Sequence, residues 1–276
     1  MKLQASDFYS FFETNEQKII NYLVGLINQT HFSYSGEVLT PFLTLREQFI
    51  LNQLIKLSQT TCQVSFFGGY HSDHEESERK RALLTTEKRS NFNKDDFEIT
   101  AFEIGYNNKF NELSHGKIYA ALHQLGVEFH LFGDIINQGD VWQFFADQTI
   151  AEYVRREFNS IFKIKIKLLD VPLSQVIIPE QSYEEMSILT TSKRIDNLIA
   201  SATNQSRSAV KQLVESSAVK RNWVPLAAKQ LSHSIALNDY ISVRHFGRFQ
   251  FIGEQGETKR GKHRLVIKLW RNKKRG

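Results

Sequence analysis

Residues 193–214 read KRIDNLIASATNQSRSAVKQLV, and this stretch decides how the C-terminal third of the chain folds. Apolar residues recur at helical spacing twice within it, first at Ile195, Leu198 and Ile199 and then at Val210, Leu213 and Val214. Ser206 stands where an N-cap hydroxyl would accept a free N–H of a first turn. The stretch therefore predicts two short helices, the second beginning at Ser206.

The start of the second predicted helix is electropositive. Its free N–H groups and its dipole carry partial positive charge, and Arg207 and Lys211 add two full charges within about one turn. Strand-like segments follow at residues 219–224, 238–244, 246–253 and 264–270. A helix-helix-sheet module with a phosphate-binding helix start is the prediction.

The charge of the chain is divided unevenly. Residues 183–276 contain 18 Lys and Arg against 7 Asp and Glu, whereas the rest of the chain contains 17 against 23. A basic third joined to an acidic body is typical of a nucleic-acid-binding domain on an ordinary globular protein. A basic face that only meets solvent is the alternative. The segment 257–276 alone holds nine basic residues and one acid, and we expect it to add non-specific phosphate affinity.

The C-terminal segment resembles the S4 RNA-binding module. The resemblance lies in Arg194-Ile-Asp196-x-Leu198, Ser206-Arg207-Ser-x-x-Lys211-x-Leu213-Val, Val219-Lys220-x-Asn222 and Leu237-x-Asp239-x-Ile241-Ser-Val243. The chain departs from the module at Ser217-Ala218, where a glycine is usual, so the turn there is expected to be built differently.

The resemblance implies a set of RNA-facing residues, and basic neighbours extend it. The predicted RNA-binding residues are Arg194, Ser206, Arg207, Lys211, Lys220, Arg221, Asn222, Arg248, Lys259, Arg260 and Lys262. Two of them have structural alternatives: Arg194 could form an ion pair with Asp196, and Ser206 could act as a helix cap alone. Reversing the charges of Arg207 and Lys211 together is expected to weaken RNA binding by orders of magnitude with the fold intact.

The first two-thirds of the chain predict a mixed α+β body. Residues 5–60 show helical apolar spacing, with a helix that starts either at the capping box Thr44-Leu-Arg-Glu47 or at Pro41. The remaining elements are predicted as strands at residues 62–67, 97–105, 127–132, 141–146 and 163–169, and helices at 75–84, 115–125 and 149–161. We expect three domains: helical 1–60, a small α/β sandwich over 61–175 with a ferredoxin-like arrangement as the candidate, and the S4 module over 183–276.

Further motifs extend the resemblance to most of the chain. They are Pro41-Phe42-Leu43, Arg46-Glu47-Gln48, Phe67-Gly68-Gly69-Tyr70, Glu78-Arg79-Lys80-Arg81-Ala82, His115, Leu125-Gly126 and Phe132-Gly133-Asp134-Ile135. Together they resemble the YlmH family, bacterial proteins with a C-terminal S4 module. The segment after His115 diverges from the family pattern. The resemblance implies association with rRNA or tRNA on the large ribosomal subunit, in the handling of stalled ribosomes that carry peptidyl-tRNA.

The sequence also favours some classes of protein over others. Its single cysteine, Cys62, cannot form an internal disulfide, and neither a secretory signal nor a membrane-length apolar run is visible, so a cytoplasmic protein without membrane contact is expected. Nothing indicates a cofactor, and nothing favours a dimer over a monomer. His71, His74, Glu75 and Glu76 offer metal-ligand types, but a solvated loop is the expectation.

Three function classes remain open. The first is a non-enzymatic factor that binds structured RNA. The second is an RNA-modifying enzyme with an unrecognised active site in the middle of the chain. Phosphate-binding glycine fingerprints are missing from the sequence, and Gly68-Gly69 is a plain turn signal. The roles of the pairs His71/His74 and His115/His123 stay open. An adaptor whose basic patch meets an acidic protein is a third, weaker alternative.

Overall fold

The structure, a computed structural model, describes residues 2–72, 76–86, 92–179, 183–259 and 261–271. The chain forms two compact units, residues 1–180 and residues 181–276. Which parts of the first unit fold independently stays a prediction. Within the described ranges, no helix combines the length and the apolar character needed to cross a membrane.

The N-terminal helices follow the apolar spacing of the sequence. Helix α1 (Gln17–Phe32) buries Ile20, Leu23 and Ile27, and helix α2 (Leu45–Ser58) packs beside it. The capping box is confirmed: the hydroxyl of Thr44 accepts the N–H of Glu47, and the Glu47 carboxylate accepts the N–H of Thr44 at 2.7 Å. Two 3-10 turns, Ala5–Phe11 and Thr14–Glu16, precede α1.

The prediction that residues 5–60 are helical is wrong for the segment between α1 and α2. Strand β1 (Glu37–Leu43) lies there, and Pro41 is inside it rather than at a helix start. The pairing register of β1 shifts between Leu39 and Phe42. Because proline has no N–H to donate to a ladder, a break in the register is a position where a strand tolerates it.

The predicted helix at residues 75–84 is also wrong. Strand β3 (Lys80–Thr85) occupies the second half of that segment and is the central strand of a sheet with the order β1-β3-β2, where β2 is Gln63–Phe67. All of β3 after Lys80 is buried. A strand buried on both faces shows no alternation of apolar and polar residues, which explains why its pattern misled the prediction.

A charged residue inside β3 is compensated by the surrounding structure. Arg81 is 5% exposed; it pairs with the carboxylate of Asp147 at 3.1 Å and donates to the carbonyls of Thr40 and Glu98. Burial lowers the pKa of Arg81, and the nearby Asp147 opposes that shift. The guanidinium therefore ties the first sheet to the second rather than reaching solvent.

The second sheet has the ferredoxin-like arrangement that the sequence suggests. The element order is β4 (Ile99–Tyr106), α3 (His115–His123), β5 (Phe132–Gln138), β6 (Val141–Asp147), α4 (Ala151–Glu157), the short β7 (Ser160–Ile161) and β8 (Ile164–Val171). The strand order is β5-β6-β4-β8-β7 with every pair antiparallel. Without the short β7, this is the split βαββαβ pattern. The predicted helix at 149–161 ends at Glu157, and the strand predicted at 127–132 begins at Phe132 instead.

The second unit has the helix-helix-sheet arrangement. Helices α5 (Ile195–Thr203) and α6 (Arg207–Glu215) lie against an antiparallel sheet. Its strands are β9 (Glu184–Thr190), β10 (Val219–Arg221), β11 (Val224–Pro225), β12 (Tyr240–Val243), β13 (Gly247–Glu257) and β14 (His263–Arg271), in the order β11-β10-β12-β13-β14-β9.

One face of this sheet carries the core of the unit. Ile241, Val243, Phe249 and Leu269 are buried against the apolar faces of α5 and α6. Since successive side chains of a strand point to opposite faces, the residues that alternate with these four point away from the helices. That second sheet face is part of the candidate site.

The turn after α6 uses serine where a glycine is usual. Ser217 has a φ of +55°, the left-handed region, and its N–H donates to the carbonyl of Val214 at 2.9 Å. Left-handed backbone costs an L-residue about 1–2 kcal/mol relative to right-handed backbone, because Cβ crowds the carbonyl oxygen. The backbone of this turn is therefore strained at Ser217.

Ser217→Gly is expected to raise the free energy of unfolding of the second unit by up to about 1 kcal/mol, since glycine takes this φ without that strain. Ser216→Gly is the matched control: Ser216 has a φ of −84°, so glycine there gains nothing. Urea denaturation followed by tryptophan emission measures both variants. If Ser217→Gly and Ser216→Gly change the unfolding free energy equally, the backbone at Ser217 is not strained.

Candidate nucleic-acid interface

A buried carboxylate shared by two arginines organises the start of both helices. The side chain of Asp196 is only 7% exposed; it accepts from Arg194 at 2.8 and 3.0 Å and from Arg207 at 2.6 and 3.1 Å. Burial alone would raise the pKa of Asp196, but the hydrogen bonds from the two guanidinium groups outweigh it and lower that pKa. The ion pair that the sequence left as an alternative for Arg194 is present, and Arg207 shares it.

These two arginines remain accessible from solvent. The side chain of Arg207 is 57% exposed and that of Arg194 is 40% exposed. Each guanidinium bonds Asp196 through Nε and Nη2, so these bonds leave its Nη1 available. A phosphate oxygen can accept from such a group without displacing the internal pair.

The start of α6 has the geometry that the sequence predicts. The hydroxyl of Ser206 accepts the N–H of Ala209 at 3.1 Å, so Ser206 is the N-cap, and no acidic residue stands in the first turn. Lys211, one turn further on, is 65% exposed and 3.8 Å from Glu215. Arg194, Ser206, Arg207 and Lys211, here called the helix-start cluster, thus combine a helix N-terminus with three cationic side chains.

Two predicted residues lie instead on the sheet face that points away from the helices. Lys220 and Arg248 line a groove of about 550 Å³. Its lining also includes Ser242, Arg244, Trp223, Trp270 and Arg271. Six of the predicted RNA-binding residues therefore divide between two distinct surfaces of the second unit, four in the helix-start cluster and two in the groove.

The aromatic residues of this groove were missed by the sequence reasoning. The ring centroids of Trp223 and Tyr240 are 5.1 Å apart, and those of Tyr240 and Trp270 are 6.0 Å apart. The guanidinium carbon of Arg248 lies 4.8 Å from the centroid of Trp270. The usable signal was the alternation in β12 and β14, which puts Tyr240 and Trp270 opposite to the core positions.

Arg221 and Asn222 make contacts inside the unit. Arg221 donates to the carboxylate of Asp239 at 2.9 and 2.5 Å, and the side-chain amide of Asn222 donates to it at 2.7 Å. The N–H of Tyr240 donates to Asn222 Oδ1 at 2.9 Å. These bonds hold the turn between β10 and β11, and RNA contacts of Arg221 and Asn222 stay predictions.

The remaining predicted residues lie at the β13–β14 hairpin. Lys259 and Lys262 are exposed there, whereas Arg260 and the tail at 272–276 fall outside the described residues.

Glu254, Glu257 and His263 lie together at the same hairpin. Within the described ranges they are the one group of three metal-ligand side chains whose ligand atoms lie close to each other. Glu254 already pairs with Lys193 and His263, so its charge is compensated from within. Of the predicted metal-ligand candidates at 71–76, His74 and Glu75 fall outside the described residues.

The motifs of the first unit meet at one structural joint. The carboxylate of Asp134 accepts the backbone N–H groups of Glu78 at 2.6 Å and Arg79 at 3.1 Å. Arg79 in turn donates to the carbonyl of Phe132 at 2.9 Å. A Cβ on Gly133 would lie 2.7 Å from the Phe42 ring, so this close approach requires glycine. The joint fastens the segment before β3 to the start of β5.

The joint carries a carboxyl group with an unusual pKa. Burial raises the pKa of Asp134 from 3.8 to about 6, although an edge of the residue reaches the surface. The two backbone N–H groups lower that pKa and thus only partly offset the burial.

A group whose pKa is raised by folding stabilises the fold below its unfolded pKa and loses that contribution as the pH rises through the folded value. We therefore expect the free energy of unfolding of the natural protein, relative to Asp134→Asn, to fall between about pH 4 and pH 6. Urea denaturation of both proteins at four pH values across this window measures it. If the unfolding free energy of the natural protein, relative to that of Asp134→Asn, instead rises with pH, the pKa of Asp134 is not raised by burial.

The two histidines of α3 join an aromatic row. His115 and His123 flank Tyr119 with ring centroids 6.4 Å away on each side, and Tyr119 lies 4.5 Å from Phe129. Burial lowers the pKa of His115. On strand β8, Lys165 and Lys167 are exposed in alternation with residues that pack into the core, and Lys163 is exposed directly before the strand.

Comparison with known proteins gives three concordant matches. Residues 93–175 match a family model described as "Putative RNA-binding domain in YlmH". The chain is 31% identical over 262 residues to "Ribosome-associated protein quality control protein P2" of Bacillus subtilis (strain 168), a match that spans 95% of this chain and 98% of the relative. The solved structure of "Cell division protein ylmH from Streptococcus pneumoniae" matches with a TM-score of 0.50 and 29% identity over 60% of this chain and 97% of that one.

Proposed function

The chain belongs to the YlmH family, and on that premise we propose that it is an RNA-binding factor that acts on the ribosome. The proposal takes its partner class from the matches: the relative in B. subtilis is named for ribosome-associated quality control, and the matched family domain is named for RNA binding. In its finer form, the protein binds structured rRNA or tRNA on the large ribosomal subunit when translation has stalled.

The observation that carries the proposal is the helix-start cluster. It holds three cations beside a helix N-terminus, with two guanidinium groups fixed by Asp196 and more than a third of each side chain exposed. Such a surface binds phosphates by position and charge without reading bases, which is how proteins recognise double-helical RNA. In this proposal the second unit acts as an S4 module, and its exposed hairpin lysines Lys259 and Lys262 add phosphate contacts.

The first unit contributes its own RNA surface in this proposal. The matched RNA-binding domain, residues 93–175, contains the exposed Lys165 and Lys167 of β8 and Lys163 just before it, which form a basic row along this segment. RNA contacts from both units would let one protein bridge rRNA and tRNA. The protein is taken to be a cytoplasmic monomer away from the ribosome.

Sucrose-gradient sedimentation of the tagged protein from lysate, at low and high salt and with ultraviolet crosslinking, tests the proposal. Co-migration with the large subunit that is lost at high salt, with RNA crosslinks near Arg207, is the expected result. Migration at the top of the gradient at both salt concentrations, without rRNA or tRNA crosslinks, would overturn it.

We propose a binding role without catalysis. The alternative is an RNA-modifying enzyme with its active site in residues 61–175, where the row of His115, Tyr119 and His123 is the nearest arrangement to one. Mass spectrometry of nucleosides from RNA incubated with the protein separates the two. A modified nucleoside that accumulates with turnover would establish the enzyme.

A further inference from the structure

The sheet face that points away from α5 and α6 carries one continuous row of side chains. Lys220 on β10 is the direct partner of Ser242 on β12, Ser242 of Arg248 on β13, and Arg248 of Trp270 on β14. Neighbouring strands are about 4.8 Å apart, so the row is about 14 Å long. It runs across four strands from an exposed ammonium group to an indole ring.

Two more rings extend the aromatic end of this row. Trp223, held at a φ of +70° in the turn after β10, places its ring 5.1 Å from Tyr240, and Tyr240 leads on to Trp270 at 6.0 Å. All three residues keep part of their surface exposed. Trp223 and Trp270 line the open groove, and the Tyr240 ring lies between theirs. Large rings at an open groove on a sheet are a stacking surface for flat ligands.

The rim of the groove is cationic. Lys220 and Arg244 are exposed around it, and Arg248 lies over the Trp270 ring; Arg271 also lines it but pairs with Glu184 at 2.8 Å. Ser217 and Ser242 add hydroxyl groups. The volume of about 550 Å³ lies within the range of about 300–1,000 Å³ typical of small-ligand sites. A groove with aromatic rings beside cationic side chains can bind a nucleotide whose base stacks on the rings and whose phosphates contact the cations.

We propose that this groove binds one or two unpaired nucleotides of an RNA by stacking their bases on Trp223 and Trp270, with the Tyr240 ring packed between the two indoles. Lys220, Arg244 and Arg248 contact the flanking phosphates. The unpaired state follows from geometry, because bases within a duplex cover each other's faces. The inference rests on the proposed RNA binding but adds a second surface with different chemistry: the helix-start cluster offers charge and N–H groups, whereas the groove offers rings.

The chain allows a direct optical test. Its three tryptophans are Trp142 in the first unit and Trp223 and Trp270 in the groove. In full-length Trp142→Phe protein all tryptophan emission comes from the groove. The two probes are a short oligouridylate and an oligonucleotide of the same length whose central sugars lack bases, so that both carry equal phosphate charge.

The oligouridylate is expected to quench the emission and to bind about 5- to 150-fold more tightly than the abasic probe, the range for one stacked base. Trp223→Asn should remove most of that ratio while leaving the affinity for the abasic probe unchanged, since asparagine tolerates the left-handed backbone at this turn. Tyr240→Leu is the second variant, because leucine keeps apolar volume in the sheet and removes the ring.

Three results would overturn the inference: equal affinities for the two probes, binding without quenching, or a base preference that survives in both variants. Quenching by an acidic peptide but not by oligouridylate would overturn it as well and identify a protein partner. The outcome is separable from that of the proposed function. Salt-sensitive sedimentation with the large subunit together with equal probe affinities would support the proposed ribosome-binding function. It would refute only the proposal that the groove binds bases.

Discussion

Asp239→Ala is expected to cost the second unit about 3–5 kcal/mol of unfolding free energy, the effect of removing one partner of a buried ion pair. Asp239 is 5% exposed, and its carboxylate accepts from Arg221, from Asn222 and from the N–H of Ala236 at 2.8 Å. Alanine would remove the acceptor shared by the Arg221 guanidinium, the Asn222 amide and the Ala236 N–H.

Denaturation of full-length Trp142→Phe protein measures this effect, because the emission of Trp223 and Trp270 then reports on the second unit alone. Glu215→Ala is the matched control. Glu215 is exposed and 3.8 Å from Lys211, so a change within about 0.5 kcal/mol is expected. A cost below about 1 kcal/mol for Asp239→Ala would show that the turn between β10 and β11 does not depend on this carboxylate.

Reversing the charges of Lys211, Lys220 and Arg244 together is expected to weaken binding to ribosomal RNA by about a thousandfold or more. Each hydrogen bond to a charged group contributes about 1.5–3 kcal/mol. All three side chains are exposed, so the fold is spared. The slope of the logarithm of affinity against the logarithm of salt concentration should flatten by about one unit for each phosphate that the variant no longer neutralises.

The control for this prediction is Lys2→Glu, Lys18→Glu and Lys56→Glu, which changes the net charge equally at exposed positions outside the matched RNA-binding domain and the second unit. Filter binding at several salt concentrations compares the two triple variants. Equal losses would mean that overall charge, not these surfaces, determines affinity.

Arg207 is left out of that design for a structural reason. The sequence alone predicts that Arg207→Glu with Lys211→Glu leaves the fold intact. In the structure Arg207 lies 2.6 Å from the buried carboxylate of Asp196. A glutamate at this position would put two carboxylates together, so loss of binding by Arg207→Glu would not separate recognition from stability.

The sequence predicted the structure correctly where the deciding pattern lies within one short segment. The helix α6, its Ser206 cap and its buried Val210 follow from spacing and from the capping residue within nine positions of the chain. It failed at β3, where burial on both faces removes the alternation that marks a strand. The split βαββαβ arrangement could be anticipated because helices and strands interleave in that order.

The parts of the site that depend on long-range pairing could not be predicted. Trp223 and Trp270 are 47 positions apart in the chain, and only the strand order β10-β12-β13-β14 and its register bring them into one groove. The contact between Arg207 and Asp196 likewise depends on how α5 and α6 pack. Nothing in the local composition around Asp239 indicates that Arg221 and Asn222, at the end of another strand, donate to its carboxylate.

The shared carboxylate of Asp196 has a consequence for how tightly an RNA could be held. A free arginine side chain loses up to about 2 kcal/mol of rotamer freedom when it is immobilised by a ligand. The ion pairs with Asp196 already restrict the rotamers of Arg194 and Arg207 before any ligand binds. Each phosphate contact at these two residues therefore carries a smaller entropic penalty than one made by Lys211, whose exposed ammonium group must be ordered during binding.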